Sequence, residues 1–380
     1  MIYLDNGATS FPKPMGMLRA MHICMRDYCG NPGRSGHRMS MRTGEEIYKT
    51  RSAIGKLFGI KDCSRIIFTG NATEALNLGI KGVVESGDHV ITSAMEHNSV
   101  LRPLKMLEKY GVETTIVRCA GDGTLNLAQL KKEIRDNTKL IVCTHASNVT
   151  GTIMPIDEIG KIARERNILF LVDAAQSAGS IPIDVDKMNI DMLAVPGHKG
   201  LLGPMGTGFL YVGENVSLKP LMEGGTGTRS KELDQPLEFP EGYEAGTVNA
   251  PGIVGLGYSV NYVMRLGVEN IRSYEEELTA MLDNALRNMS GVTVYGPWNG
   301  KRKTGITLFN LKKMGCEEVC EKLSTRFGIA SRGGFHCAAL AHKTIGTYDI
   351  GAVRLSVGPF NTKKEINIAV DAIYQMQKMQ

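Results

Sequence analysis

The chain has 380 residues, 42% hydrophobic and 22% charged, with a net charge of +5. That is enough chain for a sizeable core and two domains. The small charge, with no basic run or aromatic-interleaved basic stripe, argues against a nucleic-acid partner, and no apolar stretch approaches the roughly 20 residues that cross a bilayer.

The opening MIYLDNGATS reads as strand-like, without the charged start and apolar run of a secretion signal. Eight cysteines (24, 29, 63, 119, 143, 316, 320 and 337) are scattered over the length. They are too sparse for a disulfide scaffold and read as reduced thiols of a cytoplasmic protein. From about residue 40 to 212, helical and strand patterns alternate. RSAIGKLFGI is a helix, RIIFT a strand and ATEALNLGIKGVV a helix; HVITS is a strand, VLRPLKMLEKYG a helix and ETTIVR a strand. LAQLKKEI is a helix, KLIVCTHAS a strand and PIDEIGKIARERN a helix; ILFLVD, DMLAVP and GTGFLYV are strands. Short apolar runs separated by amphipathic helices predict a largely parallel α/β sheet covered on both faces. In such sheets ligands sit at the carboxyl ends of the strands. Residues 222–250 are rich in Gly, Pro and Glu and read as an extended loop before the helix IVGLGYSVNYVMRLG. From about residue 270 a polar helix, strands VTVYG and TGITLFNL, helix CEEVCEKLSTRFG, strand AVRLSV and a last helix from Thr362 predict a smaller α+β domain.

The chemistry gathers at the strand ends. Asp173 closes ILFLVD, and Lys199 follows DMLAVP in a Gly-rich turn. Taken singly these are a turn carboxylate and a surface amine. Together they are the two groups a pyridoxal phosphate (PLP) enzyme requires: an amine to condense with the cofactor aldehyde, and an acid to pair with the protonated ring nitrogen. A strand gives way to a helix at Asn71-Ala72-Thr73, where free N–H groups and the Thr73 hydroxyl suit a phosphate, with an ordinary N-cap as the other reading. His198 could reach the same anion, and His97, just past HVITS, could stack on a ring or serve structurally. Cys337 lies in SRGGFHCAAL with Arg332 and His336; cations favour the nucleophilic thiolate, and the glycines predict a loop that can move. Arg354, inside the apolar AVRLSV, needs a carboxylate, from a substrate or from the chain itself. Cys143 reads as a core residue, and Cys316 and Cys320 lack the second ligand pair of a zinc site.

From YLDNGATS to AVRLSVGPFNT the chain resembles the class V aminotransferases, and within them the cysteine desulfurase and selenocysteine lyase family, closest to its SufS-like branch. The resemblance implies PLP fold type I: a large domain over 14–256 with a mainly parallel seven-stranded sheet, and a small C-terminal domain over 257–380 on which 1–13 pack. It implies a homodimer. Lys199 takes the cofactor, Asp173 the ring nitrogen and Gln176 the ring hydroxyl, and His97 stacks on the ring. Ala72, Thr73 and His198 hold the phosphate, and Thr247 reaches it from the second subunit. Asn148 lies by the substrate, Arg354 clamps its carboxylate, and Cys337 takes its sulfur as a persulfide. The implied reaction turns L-cysteine into L-alanine, with sulfur passed to an acceptor protein or small thiol, as in iron–sulfur cluster assembly. The alternatives are a selenocysteine lyase acting on L-selenocysteine, and a class V aminotransferase or other PLP lyase. No metal enters.

Three departures stand out. Pro196 replaces a hydroxyl residue that bonds the phosphate in close relatives, and Phe335 replaces a histidine beside the nucleophile. The loop 223–244 is short, which bears on the docking of sulfur acceptors.

Overall fold

Strands buried on both faces are unbroken apolar runs, and their side chains alternate between two layers. The computed structural model, which describes residues 1–33, 35–298 and 303–378, has this arrangement. In chain order the elements are β1 (Ile2–Tyr3), α1 (Met15–Ile23), α2 (Arg38–Phe58), β2 (Ile66–Thr69), α3 (Ala72–Val83), β3 (His89–Ser93), α4 (Asn98–Leu107), β4 (Glu113–Val117), α5 (Leu127–Lys132), β5 (Thr138–Thr144), α6 (Ile156–Glu165), β6 (Leu169–Asp173), β7 (Met192–Pro196) and β8 (Gly208–Val212). There follow α7 (Ala250–Leu266), α8 (Val268–Arg287), β9 (Val292–Tyr295), β10 (Ile306–Leu311), α9 (Cys316–Phe327), β11 (Ile329–Ala330), β12 (Arg332–Gly334), α10 (Ala339–Thr344), β13 (Ala352–Ser356) and α11 (Lys363–Lys378).

The large sheet has seven strands in the order β2-β8-β7-β6-β5-β3-β4. All run parallel except β8, which is antiparallel to both neighbours. Leu140, Val142 and Leu171 face α3 and α4, while Ile141, Cys143, Phe170 and Val172 face α2, α6 and α7. Phe58, Phe170 and Phe209 are almost fully buried, each contributing about 1.5–3 kcal/mol. The second sheet is antiparallel, in the order β12-β13-β10-β9, and packs against α8, α9 and α11. The first residues join this half: β1 pairs in parallel with β11, and Asp5 bridges Ser356. The loop 222–250 is tied down where Glu244 takes both guanidinium ends of Arg51, at 2.9 and 3.0 Å, and the Phe68 N–H.

The structure departs from the sequence reading in the N-terminal helices and around Cys337. Helix α2 begins at Arg38, between three and four turns before RSAIGKLFGI, because His37 caps it by accepting from the Ser40 N–H at 3.3 Å. Residues 332–334 are a strand and not a loop: Arg332, Gly333 and Gly334 pair with Arg354, Val353 and Ala352 of β13.

Candidate active site

The carboxyl ends of β2, β3, β5, β6 and β7 open on one cavity, with an empty volume of about 500 Å³ including its mouth. Ala72, Thr73, His97, Asn148, Asp173, Gln176, His198 and Lys199 all line it. At the start of α3 the Asn71 side chain accepts from the Glu74 N–H at 3.0 Å, and the Glu74 carboxylate accepts from the Gly70 N–H at 2.7 Å. This reciprocal cap uses two donors. The N–H groups of Ala72 and Thr73, which by position have no partner within the helix, remain at the cavity wall.

His97 caps α4, its Nδ1 accepting from the Ser99 N–H at 3.1 Å. An accepting Nδ1 places the proton of the neutral ring on Nε2. Burial, helped by the nearby Lys199 charge, pushes the His97 pKa down to about 4. Ser99 Oγ then links His97 Nδ1, at 2.9 Å, to Thr73 Oγ1, at 2.7 Å, so one hydroxyl couples the two cavity walls.

Asp173 is buried at the end of β6, and its carboxylate accepts from the Ala175 N–H at 2.9 Å. Burial raises its pKa, and the Ala175 bond and the Lys199 charge oppose the rise. Lys199 sits in a turn closed by Gly197 N–H to Thr207 O, Gly203 N–H to Gly197 O and Leu202 N–H to Lys199 O, each 2.8 Å. Lys199 is half-buried on the cavity wall, and burial lowers its pKa to about 8. His198 Nδ1 is buried with no partner, and burial pushes that ring down to about 4. The His198 carbonyl is crowded: the Ser10 N–H, the Thr9 and Ser10 hydroxyls and Lys13 Nζ all donate to it, at 2.8–3.1 Å. Gln176 Nε2 donates to Gly7 O at 2.9 Å, so its amide is held by the N-terminal segment.

The Cys337 turn is bound to the cavity wall at two points. Cys337 O accepts from the Asn98 N–H at 2.8 Å, and His336 O accepts from Asn148 Nδ2 at 2.6 Å. His336 and Cys337 are both left-handed, with φ of 51° and 57°, a conformation that costs an L-residue about 1–2 kcal/mol. A buried chain supports it. His336 Nε2 is 3.2 Å from Arg332 O and therefore donates; His336 Nδ1 accepts from His342 Nε2 at 3.1 Å; His342 Nδ1 accepts from the Thr347 hydroxyl at 2.7 Å. Burial pushes both rings down, to about 3 and about 4, so both are neutral at pH 7. Cys337 itself is exposed, with Arg332 Nη2 at 3.6 Å from its sulfur. Phe335 is exposed beside it and packs edge-on to His342.

Besides Cys337, two of the expected residues lie off the cavity lining. Arg354 is fully buried; Nη2 donates to Asp5 Oδ1 and Nη1 to Asn148 O, both at 2.9 Å. The internal carboxylate that the sequence left open is thus Asp5. Thr247 lines a separate groove with Gly206 and Met222. Pro196 is on the cavity wall and offers no hydroxyl there. Among the described residues there is no cluster that could hold a metal ion, and no helix long and apolar enough to cross a membrane.

The sequence pattern of the Aminotransferase class-V family matches residues 2–368. A probable cysteine desulfurase of Methanothermobacter thermautotrophicus is 34% identical, over all of this chain and 95% of that protein. The chain belongs to the cysteine desulfurase family of class V aminotransferases. The cysteine desulfurase IscS of Dictyoglomus turgidum is 32% identical over 97% of this chain and 91% of its own. The apo structure of a cysteine desulfurase from Thermococcus onnurineus superposes with a TM-score of 0.93 at 33% identity, covering 100% of this chain and 95% of that one. Class V aminotransferases are PLP enzymes, so the fold is PLP fold type I. Sequence reasoning missed Ser99 and Asp5 in this family member's site. Ser99 could have been found from its spacing, two residues after His97 on the same helix start; Asp5 has no local signal.

Proposed function

We propose that this chain is a PLP-dependent cysteine desulfurase that converts L-cysteine to L-alanine and carries the sulfur as a persulfide on Cys337. The observation that carries the reading is the strained Cys337 turn, fastened to Asn98 and Asn148 at the rim of a cavity holding Lys199 and Asp173. Transamination has no use for such a thiol.

The residues present fit the cofactor. Unpartnered His198 Nδ1, the Thr73 hydroxyl and the first N–H groups of α3 suit a phosphate, and the buried Asp173 carboxylate suits a protonated ring nitrogen. His97 supplies the ring face and Gln176 the amide for the ring hydroxyl. Bound there, PLP supplies an electron sink for negative charge at the substrate Cα. Lys199 Nζ takes the Cα proton, and its lowered pKa of about 8 leaves a usable fraction neutral at pH 7. Asn148 lines the substrate end, and Arg354 binds the α-carboxylate. Cys337 Sγ attacks the substrate sulfur: the S–S bond forms, the Cβ–S bond breaks, and its electron pair stays on carbon. Cβ is protonated, so cysteine plus thiol becomes alanine plus persulfide, with no outside oxidant. The persulfide then passes to an acceptor protein or small thiol approaching past the exposed Phe335.

The wider reading keeps a large domain over 14–256 and a small one over 257–380 with 1–13 on it, in accord with the two sheets. It is a homodimer in which Thr247, away from its own cavity, serves the partner's. It is placed in the cytoplasm, in accord with eight unpaired cysteines. The deciding assay is alanine and sulfide release from L-cysteine against L-selenocysteine, with and without a reductant. Equal alanine and persulfide from L-cysteine support the reading. Release from L-selenocysteine alone makes the chain a selenocysteine lyase, and amino transfer without sulfide makes it an aminotransferase.

A further inference from the structure

Arg354 is shut. No part of it is exposed. Its guanidinium lies so close to Gly7 that a Cβ there would be 3.1 Å from Cζ and 3.3 Å from Nη2. Nη1 is taken by Asn148 O and Nη2 by Asp5, while Nε is buried with no partner. No ligand carboxylate reaches this arginine unless a neighbour moves. The Asn148 carbonyl is backbone inside the cavity wall. Asp5 is a side chain on the N-terminal segment, and its carboxylate is 20% exposed. It is the neighbour that has somewhere to go.

We propose that Asp5 is a tethered carboxylate that occupies the place of the substrate α-carboxylate on Arg354 and is exchanged for it on binding. The proposal rests on the reading of Arg354 as the substrate clamp. A planar guanidinium offers one side-on edge, Nε with Nη2, for a bidentate carboxylate. Asp5 holds one corner of that edge and the other is unpaired, so an incoming carboxylate that takes both corners must displace Asp5. Removing Asp5 with nothing in its place would leave a buried cation uncompensated, which is strongly unfavourable. Only an anionic ligand completes the exchange. Asp5 thereby weakens carboxylate binding by the cost of its own displacement, and it keeps the arginine paired in both states. The segment that would shift also supplies the Gln176 acceptor at Gly7 O and the donors to His198 O, so the exchange is felt beside Lys199.

The test is Asp5→Asn, which keeps shape and an acceptor but removes the competing charge. The probes are 3-mercaptopropionate, with carboxylate and sulfur but no amine, and its neutral amide, 3-mercaptopropionamide. Dissociation constants are measured by calorimetry on cofactor-loaded protein, with the visible cofactor absorbance as the check on folding. The variant is expected to bind 3-mercaptopropionate about tenfold tighter or more, with the amide unchanged. Ligand protection against heat should grow in parallel. Asp5→Ser, too short to reach Arg354, is the second variant and should behave alike if Asp5→Asn folds poorly. Arg354→Ala separates the two ideas. If it loses 3-mercaptopropionate binding while both Asp5 variants bind no tighter than wild type, the exchange is wrong and the clamp stands. If Arg354→Ala binds as wild type does, the clamp fails and the exchange with it.

Discussion

His342→Ala removes the middle of the buried chain under the Cys337 turn. The variant leaves His336 Nδ1 facing a void where a donor stood at 3.1 Å. An unsatisfied buried polar atom costs about 1–3 kcal/mol, and the missing ring adds a cavity term. Thr347 suffers less, since its hydroxyl has the His342 carbonyl at 3.5 Å to turn to. Against this stands the strain of two left-handed residues, about 2–4 kcal/mol for His336 and Cys337 together. The support and the strain are of one size, so losing the support lets the turn relax and carries the Cys337 sulfur off its line. A misplacement near 1 Å lowers turnover by about a hundredfold. Neither His342 nor Thr347 lines the cofactor cavity, so the visible absorbance and the KM for L-cysteine should stay near wild type. His342→Gln, which keeps a donor and an acceptor, should recover part of the turnover. The assay is kcat and KM for L-cysteine, together with the rate at which iodoacetamide alkylates Cys337. Wild-type turnover and wild-type alkylation in His342→Ala would refute the reasoning.

The Lys199 amine, lowered to about 8, governs cofactor uptake. Only the neutral amine condenses, so the uptake rate of cofactor-free protein should rise with pH through about 8 and then level; a rise that continues to pH 10 would mean an ordinary lysine. In the free protein the same shift disfavours the charged amine, so its contribution to stability is complete above the unfolded pKa of about 10.4 and is lost as pH falls through about 8, which thermal melts of the cofactor-free protein would register. Cys337→Ser should abolish sulfide release and leave the visible absorbance intact, and mass spectrometry of wild type fed L-cysteine should find the added sulfur on the Cys337 peptide; finding it on Cys316 or Cys320 reassigns the nucleophile. Asp173→Asn should lower turnover by several orders of magnitude while cofactor still binds, because an unprotonated ring is a poor electron sink; near-normal kcat would make Asp173 a structural residue.

The large sheet was legible because strands sealed on both faces must be apolar throughout, and because ligands in such sheets collect at strand ends. The same rule brought Asp173 and Lys199 to notice together. β12 was not legible: Arg332-Gly333-Gly334 has no strand propensity, and it is a strand only because β13 offers partners. Helix α1 was missed because it buries little beyond Met17 and leaves Met15 and Leu18 exposed, so no apolar stripe marks it. The Asp5 to Arg354 pair joins residues 349 apart, and nothing in either neighbourhood announces the other. Arg354 was rightly read as needing a carboxylate. Which carboxylate is a question of tertiary structure.

The pairing of β1 with β11 sets an order of assembly. Ile2 is synthesised long before Ile329 and has no strand partner until Ile329 follows it. The residues that line the cavity, from Asn71 to Lys199, are synthesised well before Cys337 and Arg354. A growing chain can therefore complete its large sheet before Cys337 exists, while Ile2 and Tyr3 wait unpaired. Closure of the N-terminal segment over Arg354 is then among the last events of folding, and an extension fused ahead of Met1 would act on that step before any other.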